Sequence, residues 1–122
     1  MGTVHRHARS DDGRPSWTGV ASAPYDANPG AVRQILIGAN EGAAHFSLRY
    51  FEIPEGGASS LDLHAHDHGV YILTGTAELL LGTDTHNVGP GDVIYIEPNE
   101  QHQFRVTGAE PFGFLCVAPP RA

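Results

Sequence analysis

The chain has 122 residues, with seven Lys and Arg against fourteen Asp and Glu, for a formal charge of −7. One domain with one hydrophobic core fits that length, and the acidic balance argues against a nucleic-acid backbone or an anionic membrane as the main partner. The single cysteine, Cys116, excludes an internal disulfide, and with no charged-then-apolar leader and no membrane-length apolar run the expectation is a soluble, cytoplasmic protein.

Residues 1–31 are rich in Gly, Pro, Ser, Asp and Asn, with Trp17, Val20 and Tyr25 as anchors. This predicts an arm that is partly flexible, or that packs on the rest of the domain or on a dimer partner. His5 and His7 form a His-x-His pair here, but without strand context they read as solvated residues. From Val32 the texture changes to short β-prone runs over 32–37, 46–53, 70–73, 77–81, 93–96, 102–106 and 112–117. Between them lie turn signals such as Glu55-Gly56-Gly57, Thr74-Gly75-Thr76, Gly82-Thr83-Asp84, Gly89-Pro90-Gly91-Asp92 and Glu97-Pro98-Asn99. Many short strands at this spacing, with no sustained 3.6-residue period, predict an all-β antiparallel sandwich or barrel over 32–118, ending in a tail at 119–122.

Of the eight His, four fall at His64, His66, His68 and His102. In an extended segment residues two apart share a face, so Asp62 and His64 can point at one ion, and His with a carboxylate is a ligand set for a divalent transition metal. His45 and His86 flank loops and read as exposed. Cys116 sits in an apolar run, where a buried free thiol behaves as a small hydrophobe.

Set beside the glycines, these histidines make the chain resemble the cupin superfamily, in its small single-domain metal-binding form. The first cupin motif runs Gly, five residues, His-x-His, three or four residues, Glu, six residues, Gly; here the same spacing joins Gly56, Asp62, His64, His68 and Gly75. The second motif runs from Gly91 through Glu97-Pro98-Asn99 to His102 and Val106, with Glu97, Asn99 and Val106 in place of its Pro, Gly and Asn. The resemblance implies a double-stranded β-helix, or jelly-roll barrel, and a homodimer. Keeping the motif register implies Asp62, His64, His68 and His102 as metal ligands, with His66 at the turn beside them as a group able to pass a proton. Taking His64 and His66 as the His-x-His instead leaves Val70 or Tyr71 at the third ligand position, and valine cannot ligate, so the first register is preferred.

Strand parity from His68 and His102 turns Val70, Ile72, Phe104 and Val106 inward as an apolar pocket wall. Arg49, Tyr50, Tyr71 and Gln103 are candidate rim groups. Three imidazoles and a carboxylate suit Mn(II) or Fe(II), with Ni, Co, Cu or Zn also compatible with these donors. Four protein ligands leave positions open for a small chelating substrate. The expected activity is a metal-dependent oxidoreductase of dioxygenase type; the alternatives are a metal-dependent isomerase, lyase or decarboxylase, or a barrel that binds a small ligand without turnover.

Overall fold

Alternating inward and outward side chains between Gly-rich turns produce an almost entirely β structure. It is a computed structural model describing residues 2–25 and 29–120. In chain order the strands are β1 (His7–Arg9), β2 (Pro15–Trp17), β3 (Ser22–Pro24), β4 (Val32–Ile37), β5 (Ser47–Ile53), β6 (His68–Thr74), β7 (Ala77–Leu81), β8 (Asp84–Val88), β9 (Val93–Ile96), β10 (His102–Val106) and β11 (Phe112–Ala118), with one short 3-10 turn at Ala39–Glu41. They form a six-stranded sheet in the order β3-β4-β5-β11-β6-β9, a three-stranded sheet β10-β7-β8 and a separate hairpin β1-β2, every pairing antiparallel. Bridges Ala58↔Arg105 and Asp62↔His102 extend the smaller sheet along the free side of β10.

The core lies between the two sheets. Ile53, Val70, Ile72, Ile96, Phe112 and Phe114 come from the larger sheet, and Ala77, Leu79, Phe104 and Val106 from the smaller, all in one buried cluster. The seven expected strands are present, with ends shifted by a residue or two. The sequence reading missed β8, which lies where only a turn was expected at its start, and the three short strands of the N-terminal segment.

Two backbone positions fix how the sheets connect. Gly75 turns β6 into β7 at φ 76°, and a Cβ there would lie 2.6 Å from the Pro111 carbonyl oxygen, so both the torsion and the space require glycine. Asn99 adopts φ 62°, the left-handed turn that the cupin motif makes with glycine, and Asn is among the few other residues that tolerate it.

The N-terminal segment covers the outer face of β5. Trp17 packs on Tyr50 with ring centroids 5.3 Å apart, and Arg14 Nε donates to Glu52 Oε2 at 2.8 Å. Tyr50 also donates to Glu52 Oε1 at 3.0 Å. Burial of Tyr50, together with the adjacent carboxylate, raises its phenol pKa. His5 accepts no solvent role here: it bonds the Thr18 carbonyl at 2.7 Å and Glu41 at 3.0 Å, while His7 stacks obliquely on Trp17 at 5.3 Å. Those hydrogen bonds are also what raise the His5 pKa, the backbone carbonyl first.

Candidate metal centre

His68 opens β6 and His102 opens β10, so each projects from the first residue of a strand that faces the core. The intervening chain is tied down by its backbone. Asp62 and His102 exchange N–H donations to each other's carbonyls at 3.0 and 2.9 Å, and Asn99 N–H donates to the His64 carbonyl at 2.6 Å. The turn containing Asn99 thus braces His64 against His102. As a result one ring nitrogen each from His64, His68 and His102 lie within 4.8 Å of one another. Their ring centroids are 5.1 to 5.5 Å apart.

Each histidine has a stated environment. His102 Nδ1 meets the Glu100 carbonyl at 2.9 Å; a carbonyl only accepts, so Nδ1 carries the hydrogen and Nε2 keeps its lone pair. His68 Nδ1 contacts Cys116 Sγ at 3.5 Å, and its Nε2 is buried with no hydrogen-bond partner. Burial, then the neighbouring charges of His66, His102, His64 and Arg49, lower the His68 pKa to about 4. A neutral, orphaned imidazole nitrogen in a group of three is a donor set suited to a borderline divalent metal.

Asp62 stands beside this group. Its Oδ2 is 3.8 Å from His64 Nε2 and accepts from Ser60 Oγ at 2.6 Å. Ser60 in turn meets the Tyr25 hydroxyl, 3.0 Å from its Oγ and 3.2 Å from its N–H. A residue of the N-terminal segment therefore reaches the site, which composition alone did not suggest. His66 is exposed, stacked flat on His64 at 5.1 Å and 4.6 Å from the His68 ring. It lies outside the three-histidine group.

The cluster opens into a cavity of about 450 Å³, the size of a small-molecule site. Val70 and Phe104 line it, whereas Ile72 and Val106 belong to the apolar core without reaching the lining. Of the rim candidates only Arg49 faces inward; Tyr50 is buried under the N-terminal segment, Tyr71 is on the outer face, and Gln103 donates to the Ser59 carbonyl at 2.9 Å. Cys116 is buried as expected, but it lines the cavity rather than the apolar core alone. The inward period of β11, read from Phe112 and Phe114, would have placed it there.

A small antiparallel barrel with a histidine group in the wall of its cavity defines the class: a metal-suited cupin barrel. The Cupin domain family model matches residues 49–118, and the chain belongs to that family. It is 36% identical over 121 residues to the 1-methylthio-D-xylulose 5-phosphate methylsulfurylase of Rhodospirillum rubrum, covering 88% of this chain and 76% of that one. A cupin 2 conserved barrel protein from Rhodopseudomonas palustris superposes with a TM-score of 0.78 at 38% identity, covering 95% of this chain and 81% of that one. The polyketide cyclase RemF from Streptomyces resistomycificus superposes with a TM-score of 0.78 at 30% identity, covering 99% and 80%.

Proposed function

We propose that this cupin is a metal-dependent enzyme acting on a small organic molecule held in the barrel cavity. The observation that carries the reading is the buried, unpartnered Nε2 of His68 within the three-histidine group at the cavity wall. His64, His68 and His102 would hold the ion, with Asp62 as the anionic fourth ligand. Mn(II) or Fe(II) suits this mixed set, with Ni, Co, Cu and Zn compatible. A divalent metal there supplies Lewis-acid polarisation of a chelating substrate oxygen, or redox capacity toward dioxygen. The chain's own residues do the rest: Val70 and Phe104 keep the cavity wall dry, and the Ser60 and Tyr25 hydroxyls fix the Asp62 carboxylate.

Within that reading we propose an oxidoreductase of dioxygenase type, because three imidazoles and a carboxylate can stabilise a higher metal oxidation state. A second, non-oxidative reading is favoured by the names of two similar proteins, a methylsulfurylase and a polyketide cyclase. The proposal also includes an arm at 1–31, a barrel at 32–118, a cytoplasmic location and a homodimer. Among the described residues no helix is long and apolar enough to cross a membrane.

Metal analysis after reconstitution, followed by aerobic and anaerobic turnover of catechols, enediols, β-diketones, α-keto acids and 1-methylthio-D-xylulose 5-phosphate, tests both readings. Oxygen uptake tied to substrate loss supports the first, and equal turnover without oxygen selects the second. A protein that takes up none of these metals, with a melting temperature indifferent to them, overturns the metal reading itself.

A further inference from the structure

Arg49 is a buried cation with which no carboxylate among the described residues pairs. It lies on β5 between core neighbours, is only 6% exposed, and lines the cavity. Its Nη2 donates to Cys116 Sγ at 3.6 Å, a weak acceptor, and its guanidinium lies over the Phe51 ring at 5.2 Å. Its Nε has no hydrogen-bond partner, and among the described residues no ion pair involves it. Arg14 shows how this protein treats an arginine that serves structure: on the opposite face of the same strand it meets Glu52 at 2.8 Å. A guanidinium does not shed its proton, and burying it unpaired is costly unless a partner arrives.

A second arginine points the same way. Arg33 on β4 is registered opposite Phe51, which shares a face with Arg49, so the two arginines are diagonal neighbours on one sheet face. Both line the cavity. Among the described residues the one carboxylate in the lining, Asp62, is engaged by Ser60 and His64.

We propose that Arg49, assisted by Arg33, forms an anion subsite that receives a phosphate monoester or carboxylate group of the substrate. The fork of the guanidinium matches either group bidentately. Two contacts, Arg49 to Cys116 Sγ and Cys116 Sγ to His68 Nδ1, connect this subsite to the histidine group, so the anionic end and the reacting end belong to one short molecule. The assignment names the substrate class of the enzyme proposed above and rests on that reading for the reacting end only.

Calorimetric titration of methyl phosphate and of propanoate into the wild-type protein, Arg49→Gln and Arg33→Gln tests it, both metal-free and after Mn(II) loading. The metal-free arm decides, because an anion can also reach a bound metal. Wild type should bind at least one probe saturably at one site, and the stronger probe tells phosphate from carboxylate. Arg49→Gln should weaken it roughly tenfold or more, the scale of a charged hydrogen bond, and Arg33→Gln less. Arg49→Lys, which keeps the charge and loses the fork, should fall between and covers the case where the Gln variant fails to fold. Undiminished binding in the folded Arg49 variants, or no saturable binding by wild type, overturns the subsite. Mn(II) stoichiometry measured on the same samples separates the two ideas: Arg49-dependent anion binding in a protein that refuses metal keeps the subsite and removes the metal centre.

Discussion

Single side chains set the behaviour of the site, and His68 sets its acid limit. An unfolded His titrates near ~6.5, whereas burial and the surrounding positive charges hold folded His68 near 4. Above the unfolded value both states are neutral and the contribution to stability is complete. Between the two, the unfolded chain takes up a proton that the fold refuses, so stability falls as the pH drops and the loss levels off near the folded value. Denaturant unfolding of metal-free protein from pH 7.5 to 4 should show this decline, and His68→Gln should make it shallower; identical slopes in the two proteins would rule out His68 as its source. Protons compete with metal for the folded His68 ring only as the pH nears about 4, so its contribution to metal affinity should persist below the range where stability declines. The neighbours of His68 separate by role. In the proposed site Asp62, held by Ser60, would be the anionic ligand, while His66 is exposed and stacks on His64. Asp62→Ala should cut metal affinity about tenfold or more, in the range for removing a residue that ligates or orients ligands, and His66→Ala should leave bound metal near wild type. Exchange of those two phenotypes after identical reconstitution would favour the alternative register.

Strands and turns show which parts of the architecture a sequence exposes. Gly75 is the sharpest case: alanine there would meet both an unfavourable left-handed torsion and backbone atoms of Pro111 and Phe112. Gly75→Ala should cost about 2 kcal/mol or more, read by chemical denaturation, and a cost under about 0.5 kcal/mol, the level of an ordinary surface change, would show that this turn relaxes. Strands such as β6 and β10 were legible because one face is buried and the other is not. β8 was not, since Asp84 to Asn87 are all exposed at a sheet edge and no apolar alternation marks them. In β5 every residue from Arg49 to Ile53 is buried, so parity could not say which side faced the cavity. The outer cover responsible, Trp17 and Arg14, comes from a polar segment whose strands are only three residues long. Cupin spacing made the histidine group readable despite Asn99, because Asn99 reproduces the left-handed turn. The same spacing carries no information about Arg49 or Tyr25, which arrive from outside both motifs.

At the scale of the molecule, the large sheet has two differently treated outer regions. The N-terminal segment covers the side of β4 and β5, where Tyr50 and Glu52 are buried. Across β11, β6 and β9 no described residue does the same. Val117, Tyr71, Val93 and Tyr95 remain 42%, 46%, 74% and 58% exposed there. They are contiguous, for Tyr71 is registered with Val93, and Gly69 between Tyr95 and Val117 leaves a hollow. An outer sheet face facing water alternates to polar residues; this one does not, and β9 beside it is an edge strand of the sheet, the kind of edge that invites a further strand. The proposed homodimer would set a second copy of the chain, offering the same patch about a two-fold axis, over both. Light scattering coupled to size-exclusion should therefore give twice the chain mass, and Val93→Glu with Val117→Glu should shift it to the monomer without altering the β circular-dichroism signal or the bound metal. A wild-type protein that stays monomeric at every concentration would leave this face unexplained by self-association and end the dimer reading.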